Sequence, residues 1–153
     1  MLRIVLAVLH LLALGFGMAA IDGRARAMRR LESPPALRDA FIADTWWGVS
    51  ALLWISTGLM RWLMGTEKPA EFYTNNHIFY AKMGLLVAIL ALEIWPMMTL
   101  IRWRIAKGKG TLPPIGELVP MGRRISTISN LQSFLLIGMV IAAVLMARGF
   151  GVR

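Results

Sequence analysis

Apolar residues along this chain gather into four long blocks separated by polar stretches. The first covers residues 2–21, about the ~20 residues needed to cross a bilayer as a helix. The second enters through the amphipathic "ALRDAFIAD" and continues through "TWWGVSALLWISTGLMRWLM". The third runs from His77 to about residue 101, and the fourth from about residue 125 to 147, behind the polar start "STISNLQS". In lipid each crossing segment must satisfy its own backbone, which selects helices. The pattern predicts helices over 2–21, 34–64, 77–101 and 125–147. Short connections make neighbours antiparallel. The expected fold is all-α, an up-down four-transmembrane-helix bundle forming one integral membrane domain over 1–153.

Breakers mark the joints. Ser33 is placed to cap the second helix, with Pro34 in its first turn. Gly65 and Pro69 interrupt the second loop, and "KGKGTLPPIGELVP" the third. Trp46 and Trp47 at one end of the second helix, and Trp62 at the other, fit interfacial belts.

Composition sharpens the class. Hydrophobic residues make up 58% and charged residues 16%, against about 45–50% and 25% in soluble domains. Mean hydropathy is +0.63. There is no cysteine, which removes disulfides, thiolate metal sites and a cysteine nucleophile. A net charge of +9 would suggest nucleic acid in a soluble protein. Here the cations flank apolar runs, so membrane orientation explains them and no nucleic-acid partner is expected.

Loops one and three carry 11 of the 17 basic residues, Arg24, Arg29, Arg104 and Arg123 among them. The positive-inside rule puts those loops in the cytoplasm and both termini in the periplasm of a bacterial inner membrane. A cleaved signal peptide is the alternative for residues 2–21. Arg24, Arg26, Arg29 and Arg30 follow the apolar run while only Arg3 precedes it, which favours a retained helix.

Ionisable residues inside the apolar blocks are functional candidates by default. His10 lies about 12 Å along the first helix, on a face of small residues, Ala7, Ala13, Gly17 and Ala20. That face admits either a bulky ligand or a closely packed helix. Lys82 enters the third helix from the same side, where snorkelling is the plain alternative. Glu93 lies about 16 Å further along, just before Pro96. It requires a partner or a proton, with Asp44 and Asn130 as possible company. Its depth beside a proline makes it a candidate for proton transfer. His77 reads as a surface residue, and the 11 methionines as dispersed filling rather than a copper cluster.

These residues resemble a family. "VLAVLHLLALGFGMAA" is similar to the first helix of HemJ-type protoporphyrinogen oxidases and the related CopD-like membrane proteins. "IFYAKMGLLVAILAL" resembles their third helix, and "RRISTISNLQSFLLIGMVIAAVLMARGFG" their last. Tyr80 and the pair Trp46–Trp47 stand where that group carries other residues. The whole chain also resembles a bacterial membrane-protein family without an assigned activity, for which "ADTWWG", "AKMGLL" and "EIWPM" would be the signature.

The HemJ resemblance implies haem b, with His10 as axial and metal ligand and Lys82 as its companion. It implies a membrane oxidoreductase acting on a porphyrin and passing electrons onward, plausibly to quinone. Lys82 from the resemblance, and Glu93 from its depth beside Pro96, are the catalytic candidates. The rival readings are a non-enzymatic accessory subunit of a larger complex or homo-oligomer, and a CopD-like copper permease.

Overall fold

A computed structural model describes residues 1–33, 35–65 and 68–151. Five helices follow one another: α1 (Leu2–Arg29), α2 (Ala36–Leu63), the short α3 (Ala70–Thr74), α4 (His77–Gly108) and α5 (Ile115–Ala147). Pro34 and Glu67, which the sequence places in a first turn and a polar loop, lie outside the described residues.

The four long helices occur where the apolar blocks predict them, but three outrun those blocks. α1 continues through "DGRARAMR", α4 through "RWRIAKG", and α5 starts ten residues early at Ile115. Hydropathy marks where apolar surface ends, not where a helix must end. Arg, Ala, Met and Leu are good helix formers, and the helices run on through Gly23 in α1 and Pro120 in α5.

α4 closes in a Schellman motif. Gly110 adopts φ +69°, its N–H donates to the Lys107 carbonyl, and Thr111 N–H donates to the Ala106 carbonyl at 2.9 Å. At the start of α2, Pro35 occupies the cap position without a side-chain cap. Ser33 contributes its carbonyl, to Ala36 N–H at 3.0 Å, and not the hydroxyl expected from sequence.

Helix directions follow from the cross-bonds. His10 meets Thr57 while Arg24 meets Asp44, so α1 and α2 run oppositely. Arg24 meets Gln132 and Arg29 meets Ser126, which makes α5 antiparallel to α1. Trp62 touches Phe79 while Asp44 bonds Arg104, setting α4 against α2. The chain is all-helical, and α1, α4 and α5 are long and apolar enough to cross a membrane.

Large apolar side chains lie on the exterior, and polar ones are found in the interior. Leu11, Phe16, Leu52, Val87 and Phe134 are exposed, whereas Arg24, Ser50, Thr57, Ser129 and Gln132 are buried. A large exposed apolar surface marks a membrane or partner contact. Two core clusters fill the bundle. One joins Met28, Leu100, Trp103 and Ile125, and the other joins Ile21, Trp47, Trp54, Ile89 and Leu136.

Trp47 therefore belongs to the core and not to an interfacial belt, while its neighbour Trp46 is exposed. Gly17 makes room for it: a Cβ there would lie 3.1 Å from the Trp47 ring. The small-residue face of α1 thus serves close approach of α2 at this level.

Candidate functional site

Near the N-terminal end of α1 the helices part around a cavity of about 600 Å³, within the range of about 300–1,000 Å³ typical of small-molecule sites. Every helix contributes. His10 comes from α1, Trp54 and Gly58 from α2, Tyr73 from α3, Lys82 from α4, and Met139 from α5. The walls are mostly aromatic and aliphatic. Arg61, Lys68 and Lys82 supply the cationic groups along them.

His10 is held from three sides. Its ring stacks near Trp54, with centroids 6.0 Å apart and planes 29° from parallel. Nδ1 lies 3.0 Å from Thr57 Oγ1. Gly58 sits beneath the ring, where a Cβ would stand 3.0 Å from Cε1. Thr57 and Gly58 are adjacent on α2, so one helical step supplies both the hydrogen bond and the clearance.

A separate polar network lies about 21 Å further along α1. Its centre is Arg24, whose side chain is 0% exposed. Guanidinium carries five N–H donors in a fixed fork, and all five have partners on other helices. Nε donates to Ser129 Oγ at 3.1 Å. Nη1 donates to Asp44 at 3.0 Å and to Glu93 Oε1 at 2.6 Å. Nη2 donates to Glu93 Oε2 at 2.8 Å and to Gln132 Oε1 at 2.9 Å.

The acceptors are tied in turn. Gln132 Nε2 donates to Glu93 at 2.8 Å and to the Ile89 carbonyl at 3.2 Å. Arg104 donates to the second oxygen of Asp44 at 2.9 Å and to the Phe41 carbonyl at 2.6 Å. With both carboxylates ionised, two cations and two anions balance. The fork between Arg24 and Glu93 is bidentate, two parallel N–H···O bonds at 2.6 and 2.8 Å.

Of the residues expected from sequence, His10 and Lys82 line one cavity, and Glu93 lies outside it. Asp44 keeps company with Glu93, as expected, but Asn130 does not. It accepts instead from Arg29, at 3.4 Å. His77 is exposed and is not among the lining residues, although part of its loop folds over the cavity through Lys68, Phe72 and Tyr73. Among the described residues no three His, Cys, Asp or Glu side chains gather into a group that could hold a metal ion.

Sequence reasoning missed Arg24, Thr57, Ser129 and Gln132. Arg24 counted only as a loop charge. A signal was present, because the inward stripe His10, Ala13, Gly17, Ala20 reaches Arg24 at its next step of four. Thr57 gave no signal: nothing in "WISTGL" separates it from Ser56, which turns outward to bond the Leu52 carbonyl.

In comparison with known proteins, residues 2–151 match a family model described as "Predicted membrane protein (DUF2214)". No curated protein and no solved structure matches the chain.

Proposed function

The chain belongs to the DUF2214 family of membrane proteins, and on that premise we propose that it is a haem-b-binding membrane redox protein of the HemJ kind. The observation that carries this reading is His10 and Lys82, 72 positions apart in sequence, lining one cavity. The residues present fit the group. His10 places an imidazole between apolar walls, and Arg61, Lys68 and Lys82 line the same cavity with the sign of charge that complements the two carboxylates of such a macrocycle. A four-helix bundle commonly holds a cofactor between facing helices. Haem b, when bound, supplies a one-electron iron couple. The chain's own part is to ligate through His10, to exclude water with Trp54, Phe79 and Met139, and to neutralise carboxylates at the cationic wall.

α2 is the fourth span in this reading. Its hydropathy is lowered by Trp, Ser and Thr, and several of these face inward: Trp47, Ser50, Trp54 and Thr57 are buried. Its outer face carries Val49, Leu52, Leu59 and Leu63. The basic ends of α1, α4 and α5 then lie at the cytoplasmic face of a bacterial inner membrane, with both termini periplasmic. A phosphatase fused after Arg153 is active in that orientation, and inactive fusions would overturn it.

The deciding experiment is an absorption spectrum of the detergent-purified protein. A Soret band lost in His10→Ala is expected. A colourless preparation, from cells supplied with haem precursor and after haem addition, would end the reading. Glu93 anchors the network about 21 Å from His10. The proton-transfer role survives only if Glu93→Gln slows electron transfer under an unaltered Soret band.

A further inference from the structure

We infer that a cleft between the C-terminal end of α1 and the start of α2 binds the headgroup of an aminophospholipid, with the phosphate at Arg26 and Arg30 and the primary ammonium at Asp39. The site lies at the opposite end of the bundle from His10 and is independent of the haem reading.

The cleft encloses about 240 Å³ and is lined by Arg26, Ala27 and Arg30 of α1, by Ser33 of the turn, and by Ala36 and Asp39 of α2. At ~30 Å³ per water that is room for about eight waters, enough for a phosphoethanolamine group. Its wall carries charges of both signs. Arg26 donates to Asp22, one turn back on α1, through Nη1, and a guanidinium has further donors to offer. Arg30 and Asp39 come from different helices and are both exposed. Among the described residues their side chains have no hydrogen-bond or ion-pair partner, and they form no ion pair with each other. A cation and an anion held apart across one cleft complement a zwitterion better than a simple anion. Guanidinium suits a phosphate, and a primary ammonium brings three N–H donors to a carboxylate.

Depth points to a lipid as the source of that zwitterion. The apolar block of α1 ends at Ile21, and by helix rise Arg26 and Arg30 lie about 7 and 13 Å beyond it. The headgroup layer is about 5–8 Å thick on each side of the hydrocarbon, and arginine stems reach back toward it. Ala19, Gly23, Arg26 and Arg30 share one stripe of α1, and Asp39, Ala43 and Trp46 share one of α2. A Cβ on Gly23 would lie 3.7 Å from that of Ala43, so the two stripes meet on the membrane side of the cleft. Ala19 and Trp46 are exposed beyond that point, which gives acyl chains an apolar track continuous with the charged cleft.

The test uses the full chain, delipidated in detergent. The probes are phosphatidylethanolamine, phosphatidylcholine and phosphatidylglycerol with identical acyl chains, and inorganic phosphate. Bound lipid is counted by native mass spectrometry. Phosphatidylethanolamine should be retained about tenfold better than phosphatidylcholine, whose capped ammonium cannot donate to Asp39. Phosphatidylglycerol, which brings a phosphate without a cation, should also fall below it. Asp39→Asn should erase the preference. Arg30→Gln should weaken retention of phosphatidylethanolamine, while Arg102→Gln, which removes another exposed cation from the same end, should leave it unchanged.

Equal retention of phosphatidylethanolamine and phosphatidylcholine would overturn the inference, as would a preference that survives both Asp39→Asn and Arg30→Gln. Stronger retention of phosphatidylglycerol would overturn it by showing a diffuse cationic surface. Displacement of the lipid by inorganic phosphate would do so by assigning the cleft to a free anion. Arg30→Gln changes only an exposed side chain, so it localises the site even if Asp39→Asn fails to fold.

Discussion

Replacing Arg24 by methionine tests the idea that one guanidinium holds the basic end of the bundle in register. Methionine matches the length of the aliphatic stem but supplies none of the five donors. Asp44 and Glu93, 11% and 13% exposed as side chains, would face each other with Arg104 alone to offset them. Breaking a buried pair by removing one partner costs about 3–5 kcal/mol, because the other charge stays buried.

The residual exposure of both carboxylates lets water reach them and favours the lower end, near ~3 kcal/mol. For a chain of this size, at about 2–4 °C per kcal/mol, Tm should fall by about 6–12 °C. Arg24→Lys should recover only part, since a point ammonium cannot replace the fork. The assay is intrinsic-fluorescence thermal unfolding in detergent, with Glu93→Gln as the second arm of a double-mutant cycle. If Arg24→Met loses less than about 1 kcal/mol, or the cycle shows coupling below about 0.5 kcal/mol, the network is not what sets the register.

Three further outcomes follow from the same geometry. Gly58→Val places carbon where His10 Cε1 now stands 3.0 Å from a would-be Cβ; it should shift the ring and weaken haem retention on the order of tenfold, read from the Soret band. Asn76 is fully buried, caps α4 through Ile78 N–H at 2.9 Å, and donates to the Phe150 carbonyl at 3.0 Å. Asn76→Ala should cost about 1–3 kcal/mol and expose the chain end to protease, measured by thermal unfolding and limited proteolysis. Glu93→Gln keeps the volume but leaves Arg24 with one carboxylate partner; it should lower Tm without altering the absorption spectrum, and an altered Soret band would show that the network and the cavity are coupled.

The sequence by itself determined the helices and their environment. Apolar blocks of bilayer length leave little but helix as a solution in lipid, and short connections alternate their direction. It also singled out His10, Lys82 and Glu93, because an ionisable group within such a block is costly enough to be informative. Tertiary structure alone decided the partners. Arg24 reads as one more loop cation until α1 continues past the apolar block and turns it inward, onto Glu93 and Asp44. Thr57 differs from Ser56 only in which side of α2 meets α1, and that is set by helix rotation within the bundle. Periodicity registers apolar faces, whereas a hydrogen bond depends on the depth and rotation of two helices at once, which neither segment encodes alone.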